Sequence, residues 1–332
     1  NILHCSLREA INASNLKIGK DLVAFNIDGL GPHVIQPTSA LPTLTDRTAI
    51  DGTTEPDFIL GLVTTPPIVL NGSSAGFGNT GLTIDAGLSH ILGLFIHSFD
   101  GPGMWINNSP GTYVLDNVIS GNGTYALNIE GANATGNIVQ GNLIGTNVTG
   151  DAALPNGPGV RIADASNNTI GGSLASERNV ISGNNTYGVA VSGVTSSDNT
   201  IQGNYIGVDV SGSSAIGNGS HGVWIIDAAQ TNVIDNVISG NDSVGVFIID
   251  SATGTAVQGN YIGTDSTGVS ALGNTGHGVS IQNGPTNTTI GGAIASERNI
   301  ISSNARSGVV VILSSSNNTI EGNYIGTDST GA

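Results

Sequence analysis

Three aspartates recur at one position of a repeated phrase, and carboxylates at a regular spacing could bind a divalent cation. The phrase Asn-Tyr-Ile-Gly-x-Asp ends in Asp209, Asp265 and Asp328, and a weaker copy ends in Asn147. Ca²⁺ takes oxygen ligands, so each carboxylate could bind it together with carbonyl groups of its own turn. Positions two strand layers apart would lie roughly 10 Å from each other, too far to share one ion. We favour the simpler interpretation that each aspartate accepts hydrogen bonds within its own turn.

A histidine between two glycines, in Gly276-His277-Gly278, is a candidate for acid–base catalysis. The segment resembles the Gly-His-Gly segment of polygalacturonases, which implies hydrolysis by converging aspartates beside a basic Arg-x-Lys segment. No Asp-Asp pair occurs in this chain, and His221 occupies the same position in another repeat. We therefore interpret His277 as variation within the repeat and keep it as a minor catalytic candidate.

Arg161 is a candidate for the basic residue with which a polysaccharide lyase removes the proton α to a carboxylate. The chain has 8 basic residues in all, so few positions could supply this group. The other basic residues of the repeat region are Arg178, Arg298 and Arg306. The first two directly follow Glu177 and Glu297, and we interpret them as members of exposed ion pairs, which contribute little energy.

Aromatic side chains are predicted to form two outward columns, on which sugar rings could stack. Tyr205, Tyr261 and Tyr324 lie in the first strand of their repeats, and Trp224 and Phe247 lie in the second strand of adjacent repeats. The first-strand column is apolar over eight repeats, which is more than an isolated soluble rod normally exposes. Two interpretations stay open: the long loops fold over this column, or it binds a ligand or a neighbouring copy.

The repeat itself must position these side chains. Units of about 25 residues (116–140, 178–202, 235–258 and 298–321) alternate with longer units, and Gly and Asn turns separate three short strands in each. This pattern predicts an all-β, right-handed parallel β-helix, a solenoid of roughly twelve coils. Val and Ile are expected to stack inside it. Columns of Asn are expected to form hydrogen bonds from coil to coil as a structural ladder.

The ends and divisions of the chain follow from the same pattern. Residues 1–20 are predicted to form a short capping α-helix, because Ser6 and Glu9 make a capping box while Leu7 and Ile11 share one face. Residues 21–115 are interpreted as irregular coils and residues 116–332 as regular coils of one continuous domain. We interpret both ends as cuts in a longer protein, with the C-terminus inside a repeat.

Several phrases together carry a family resemblance over essentially the whole chain. They are Cys-Ser-Leu-Arg-Glu-Ala at Cys5–Ala10, Asn-Thr-Ile-Gly-Gly, Arg-Asn-Val-Ile-Ser-Gly-Asn and Gly-Asn-Tyr-Ile-Gly-Thr-Asp. The sequence resembles secreted prokaryotic right-handed parallel β-helix repeat proteins, which often begin with that Cys-Ser-Leu-Arg-Glu-Ala motif. The resemblance implies the fold and an extracellular or cell-surface setting. It implies no single activity, because pectate lyases, polygalacturonases, epimerases and adhesins share the fold.

Charge and composition exclude several partners. A net charge of −16 disfavours nucleic acid and anionic membrane, which both reward clustered Lys and Arg. No apolar run approaches the ~18 residues of a membrane-spanning helix. The single cysteine, Cys5, excludes an intramolecular disulfide. Glycosylation sequons occur at Asn122, Asn184, Asn218 and Asn241.

The sequence favours a non-catalytic extracellular or cell-surface module, such as a stalk, an adhesin or a filament-forming segment. Its expected partners are carbohydrate or neighbouring copies of itself, and no cofactor is expected apart from the Ca²⁺ considered above. The alternative is a polysaccharide-active enzyme, a lyase, hydrolase or epimerase acting in a groove along the rod. We prefer the first interpretation because the sequence reveals no non-repeating cluster of acids and bases on one outward face.

Overall fold

Short apolar strands separated by glycine and asparagine turns wind into a parallel β-helix. The computed structural model describes residues 5–59, 61 and 65–332. Its strands form three sheets of 11, 11 and 9 strands, and all strand pairs within them are parallel. The predicted all-β solenoid is confirmed, with about eleven coils in place of the roughly twelve expected.

We name each sheet after a residue type on its outer face. The Tyr sheet contains β2 His33–Ile35, β4 Ile68–Asn71, β7 Leu94–His97, β10 Val118–Ile119, β13 Leu143–Ile144, β16 Val180–Ile181, β19 Tyr205–Ile206, β22 Val237–Ile238, β25 Tyr261–Ile262, β28 Ile300–Ile301 and β31 Tyr324–Ile325. The Trp sheet contains β5 Leu82–Ile84, β8 Met104–Asn107, β11 Leu127–Glu130, β14 Val160–Ala163, β17 Val189–Ser192, β20 Val223–Ile226, β23 Val246–Ile249, β26 Val279–Gln282 and β29 Val309–Ile312. The Thr sheet contains β1 Asp21–Ala24, β3 Thr48–Asp51, β6 His90–Leu92, β9 Tyr113–Leu115, β12 Ile138–Gln140, β15 Thr169–Gly171, β18 Thr200–Gln202, β21 Asn232–Ile234, β24 Ala256–Gln258, β27 Thr289–Gly291 and β30 Thr319–Glu321.

Each regular coil contributes one strand to each sheet, in the order Tyr, Trp, Thr. Alternating side chains point into the rod, because successive residues of a strand face opposite sides. The inward positions hold Ile and Val that are fully buried, as at Ile206, Val223 and Ile225. These aliphatic stacks form one continuous core along the rod, as the sequence predicts. Strands of residues 21–115 pair in the same three sheets as the regular coils.

A helix covers the N-terminal end of the coils. Helix α1 spans Leu7–Asn15, and both hydrogen bonds of the predicted capping box between Ser6 and Glu9 are present. Its apolar face buries Ile11 completely, and its Arg8 guanidinium donates hydrogen bonds to the carbonyl groups of Ser39 and Ala40. The capping helix is thus confirmed. A second helix, α2, spans Pro56–Ile59, and short 3₁₀ turns span Gly52–Thr54, Gly72–Ser74, Ala175–Glu177 and Ala295–Glu297.

Two columns of buried asparagines bind successive coils to each other. In the first column, Asn179 Nδ2 donates to Asn204 Oδ1 (2.9 Å) and to the Val139 carbonyl (2.8 Å), and the same bonds recur in neighbouring coils. Buried amides need such partners, since an unpaired polar group costs about 1–3 kcal/mol. The predicted ladder is confirmed. Its first column is Asn117, Asn142, Asn179, Asn204, Asn236, Asn260, Asn299 and Asn323, and its second is Asn122, Asn156, Asn184, Asn218, Asn241, Asn274 and Asn304.

The second asparagine column also contains the four sequon asparagines named above. All four are at most 2% exposed. Their Nδ2 groups donate within the ladder, as from Asn184 to Asn218 Oδ1 (2.9 Å). A glycan on this nitrogen would break that bond, so these four sequons are buried in the folded chain and serve the ladder. Among the described helices, none is long and apolar enough to cross a membrane.

Candidate functional site

The outer side of the Trp sheet brings together the bulky side chains of several coils. Strand register stacks Trp105, Asn128, Arg161, Ala190, Trp224 and Phe247 in this order, one per coil. The prediction that Trp224 and Phe247 lie on adjacent strands is confirmed. Their rings are nearly parallel, with centroids 6.4 Å apart and an interplanar angle of 12°.

A second column comes from the turns that precede these strands. Tyr125, Tyr187 and His221 each lie two residues before the first residue of β11, β17 and β20. The edge of the Tyr187 ring meets Trp224 at 5.8 Å between centroids, and the His221 ring lies 4.7 Å from that of Phe247. We call this surface the aromatic face, defined by Trp105, Tyr125, Arg161, Tyr187, His221, Trp224 and Phe247. All seven side chains are partly exposed.

Arg161 is the one basic residue in the nine strands of the Trp sheet. Its Nη1 donates to Asn128 Oδ1 (3.2 Å) and lies 3.5 Å from Glu130 Oε2, while Asn128 Nδ2 donates to the same glutamate oxygen (2.8 Å). The guanidinium also lies 5.6 Å from the centroid of the Tyr125 ring. In the described part of the chain, the remaining guanidinium nitrogens make no hydrogen bond, so they can bind a ligand carboxylate.

Two titratable groups of the aromatic face stay neutral at pH 7. Burial, together with the neighbouring Tyr125, raises the pKa of Tyr187 well above its usual range, so this phenol keeps its proton. Burial lowers the pKa of His221 to about 4. Its Nδ1 accepts the backbone N–H of Val244 (3.4 Å), which places the imidazole proton on Nε2. Tyr187 and His221 are therefore hydrogen-bond donors towards a ligand.

His277 repeats the structural contact of His221 two coils further along. Its Nδ1 accepts the backbone N–H of Ser307 (3.2 Å), just as His221 accepts that of Val244. The equivalence of the two positions in the repeat is confirmed by strand register. A catalytic role for His277 remains a prediction, and this contact already explains its presence.

The tyrosines of the Tyr sheet lie in a different environment. Tyr205 is only 8% exposed, and the Arg178 guanidinium lies 4.1 Å above its ring while donating from Nε to the Gly203 carbonyl (3.1 Å). Arg298 covers Tyr324 in the same way at 4.2 Å. The expected ion pairs of these arginines with Glu177 and Glu297 are wrong: Glu177 instead accepts the backbone N–H of Leu174.

Stacked loops cover the rest of the tyrosine column. The loop after β19 contacts its neighbours on both sides through backbone bonds, from Val210 N–H to the Gly150 carbonyl and from Ser266 N–H to the Gly212 carbonyl (both 2.9 Å). Val208 and Leu272 from these loops pack with Tyr205 in a second apolar cluster. Of the two interpretations left open, loop coverage is confirmed. Ligand binding by Tyr205, Tyr261 and Tyr324 stays a prediction.

The repeated aspartates of the covering loops act in their own turns. Asp265 Oδ1 accepts hydrogen bonds from the Thr267 hydroxyl (2.7 Å) and from the backbone N–H groups of Val269 (3.0 Å) and Ser270 (3.1 Å). Burial opposes ionisation, but these bonds outweigh it and lower the pKa of Asp265 to about 2. Asp209 and Asp328 accept equivalent bonds. The turn interpretation is confirmed, and Ca²⁺ binding at these three aspartates stays a prediction.

Trp105, Tyr125, Tyr187 and His221 are the members of the aromatic face that sequence reasoning missed as site residues. The sequence does contain a signal for the last three. Each of them stands two residues before an inward aliphatic residue, at the same position of the repeat. The sequence indicates Arg161 as a candidate basic residue, and the structure adds its contacts to Asn128, Glu130 and Tyr125.

The three parallel sheets define a solenoid, and the fold is a right-handed parallel β-helix. A family model described as a right-handed β-helix region matches residues 73–218. No curated protein matches the chain.

Solved structures match over nearly the whole chain. The A-module of an Azotobacter vinelandii mannuronan C-5 epimerase has a TM-score of 0.52 at 16% identity, with 96% of this chain and 93% of that chain covered. A periplasmic alginate epimerase has a TM-score of 0.48 at 12% identity, with coverage of 96% and 83%. A mannuronic acid-specific polysaccharide family 6 lyase from human gut microbiota has 0.47 at 8% identity, with coverage of 88% and 71%. At these identities the likeness establishes the fold.

These comparisons correct the main functional expectation. The A-module of the mannuronan C-5 epimerase, which has the TM-score of 0.52, is named for an enzyme and not for a stalk or an adhesin. The expectation of a non-catalytic stalk, adhesin or filament-forming module is therefore wrong, and the alternative of a polysaccharide-active enzyme is the better supported one.

Proposed function

We propose that this protein is an extracellular enzyme that modifies an acidic polysaccharide on the aromatic face. The observation that carries the proposal is the position of Arg161, a single cation between aromatic rings on one outward surface. Aromatic rings stack on the apolar faces of sugar rings, and a guanidinium binds a carboxylate through two parallel hydrogen bonds. Strand register places Trp105 and Trp224 two strands to either side of Arg161, so a polymer lying along the rod would meet an aromatic ring on both sides of the cation.

Charge supports one defined binding position along the polymer. The net charge of −16 repels a polyanion over most of the surface. Arg161 is the exception within the Trp sheet, and its contacts to Asn128 and Glu130 involve Nη1 alone. The other nitrogens of its guanidinium can receive the carboxylate of one uronate, while Trp105 on one side and Trp224 on the other stack on neighbouring sugars.

The chemistry that fits this arrangement is removal of the proton α to the bound carboxylate, the first step of both a lyase and an epimerase. Negative charge develops on the carboxylate during that step, and a fixed guanidinium stabilises it. Tyr187 keeps its proton at neutral pH and is the donor we assign to the protonation that follows. Tyr125, next to Arg161, is the group we assign to accept the α proton, which it can do once its own phenol proton has passed to solvent.

The proposal is tested by incubating the protein with polymannuronate, alginate or polygalacturonate as the substrate. Unsaturated chain ends report a lyase, and proton NMR of the uronate residues reports an epimerase. We expect Arg161→Ala to reduce turnover by at least about 100-fold, the loss typical for a group that stabilises transition-state charge. The control is Arg306→Ala, which removes the same charge from an exposed position two coils beyond Phe247.

Turnover retained in the control and lost in Arg161→Ala supports the proposal. The absence of any lyase or epimerase product from all three polymers contradicts it. Equal turnover by the two variants also contradicts it, because the site would then lie elsewhere.

A further inference from the structure

His33, Glu55 and Asp57 converge at the N-terminal coils, which precede the coils of the aromatic face. His33 begins β2, Glu55 follows the turn Gly52–Thr54, and Asp57 lies in α2. The imidazole Nε2 of His33 lies 3.7 Å from Glu55 Oε1 and 3.8 Å from Asp57 Oδ2. One nitrogen and two carboxylate oxygens lie within 4.8 Å of one another.

The contacts among these three groups are too long to satisfy them. Both distances exceed those of a hydrogen bond, and His33 Nε2 is buried without a hydrogen-bond partner. Glu55 is 1% exposed, and no Lys or Arg of the described residues pairs with it or with Asp57. A buried carboxylate without a cation is strongly disfavoured, so the cluster lacks one positive partner.

Other contacts already orient the three groups towards a common point. The backbone N–H of Ile27 donates to the Glu55 carboxylate (3.1 Å to Oε2), and that of Gly31 donates to Asp57 Oδ2 (2.8 Å). Such outer hydrogen bonds are typical of residues that bind metal ions, because they fix the direction of the ligand oxygens.

We propose that His33 Nε2, Glu55 and Asp57 bind one divalent transition-metal ion of the Zn²⁺ type. Zn²⁺ binds imidazole nitrogen and carboxylate oxygen at about 2.0–2.2 Å, which separates tetrahedral ligand atoms by about 3.3 Å. The two separations from His33 Nε2 need adjustments of about half an ångström to meet this geometry, and the carboxylate oxygens of Glu55 and Asp57 lie within 4.8 Å of each other. An imidazole ligand favours such an ion over Ca²⁺ or Mg²⁺, which take oxygen ligands.

The ion would connect segments that are remote in sequence. It ties β2 to the turn and helix that follow β3, in a part of the rod that lacks the asparagine ladder of the regular coils. Because a folded chain presents the three ligands together and an unfolded chain does not, binding would stabilise the N-terminal coils. The site is independent of the proposed enzyme activity.

The site is tested by titrating Zn²⁺ or Co²⁺ into untagged protein that has first been treated with EDTA. We expect binding of one ion per chain by calorimetry, a visible absorption band with Co²⁺, and a rise in Tm with Zn²⁺. His33→Ala and Asp57→Asn should each weaken binding at least about 100-fold, beyond the 10–100-fold typical of outer contacts. His90→Ala is the matched control, because its ring stacks on Tyr113 and is not part of the cluster.

Binding that survives in His90→Ala and disappears in both cluster variants supports the proposal. Circular dichroism of each variant establishes that the fold is retained, and Asp57→Asn, with nearly the same shape, serves where His33→Ala fails to fold. The proposal is overturned if neither ion binds the wild-type chain, or if binding is equal in Asp57→Asn and wild type.

Discussion

Two aromatic columns lie on the outside of the same rod, and their environments differ completely. On the Tyr sheet, the Arg178 guanidinium and stacked loops cover Tyr205, which is 8% exposed. On the Trp sheet, Trp224 and Phe247 lie partly exposed beside Tyr187 and have no such cover in the described structure. Both columns have the same strand periodicity, so periodicity determines the direction of a side chain and the inserted loops determine its exposure.

The difference also separates two roles of a cation beside an aromatic ring. Arg178 stacks on Tyr205 and donates to a backbone carbonyl, so its charge serves the fold. Arg161 lies farther from Tyr125 and has unoccupied nitrogens beside the open face. A cation–π contact contributes about 0.5–2 kcal/mol in either place, but only the second arginine can also bind a ligand.

Removing one aromatic ring from each column should give opposite phenotypes. Tyr205→Ala removes a buried ring, and we expect it to lower the free energy of unfolding by about 3 kcal/mol without weakening polysaccharide binding. Trp224→Ala should weaken binding of an oligouronate about tenfold, the equivalent of about 1.4 kcal/mol, with a smaller loss of stability. Denaturant titration and calorimetry measure the two effects.

The reverse pattern, with binding lost in Tyr205→Ala and retained in Trp224→Ala, would move the site to the Tyr sheet. Equal binding by both variants and wild type would remove both columns from the ligand site.

Acid should destabilise the loops that cover the tyrosine column, because the Asp265 carboxylate accepts hydrogen bonds within one of these loops. Its folded pKa of about 2 lies below the unfolded value of 3.8, so its stabilisation is present above pH ~4 and is lost as pH falls towards 2. We expect this carboxylate to contribute on the order of 2 kcal/mol at neutral pH. Asp265→Asn should therefore lose less stability than wild type between about pH 5 and pH 2 in denaturant titrations.

Asp28→Asn is the control for this comparison, because Asp28 is exposed. A pH dependence in Asp265→Asn that equals that of wild type would show that the turn bonds of Asp265 do not stabilise the loop.

Most of the fold could be predicted because its determinants are local and repeated. The inward Ile and Val, the Asn ladder and the Ser6–Glu9 capping box each follow from short-range spacing. The position of Arg178 could not be predicted in this way. Its neighbour in sequence is Glu177, yet its ring partner Tyr205 comes from the next coil, and only the winding of the chain brings them together.

The candidate sites were harder to predict because most of their members lie outside the strands of the regular coils. Trp224 and Phe247 were foreseen from their shared strand position, whereas Tyr125 and Tyr187 lie in turns that the strand pattern ignores. The cluster of His33, Glu55 and Asp57 lies in the irregular coils, where no periodicity aligns residues 22 or more positions apart. Composition also misled the functional interpretation, since a single arginine among aromatic rings is invisible in a net charge of −16.

Tryptophan fluorescence tests the central claim most directly, because the chain has 2 tryptophans and both belong to the aromatic face. A uronic acid oligosaccharide titrated into the protein should change the emission in a saturable way, and Arg161→Ala should shift the titration to at least tenfold higher concentration. Unchanged emission at concentrations where calorimetry detects oligosaccharide binding would contradict the claim, because the ligand would then bind away from the aromatic face.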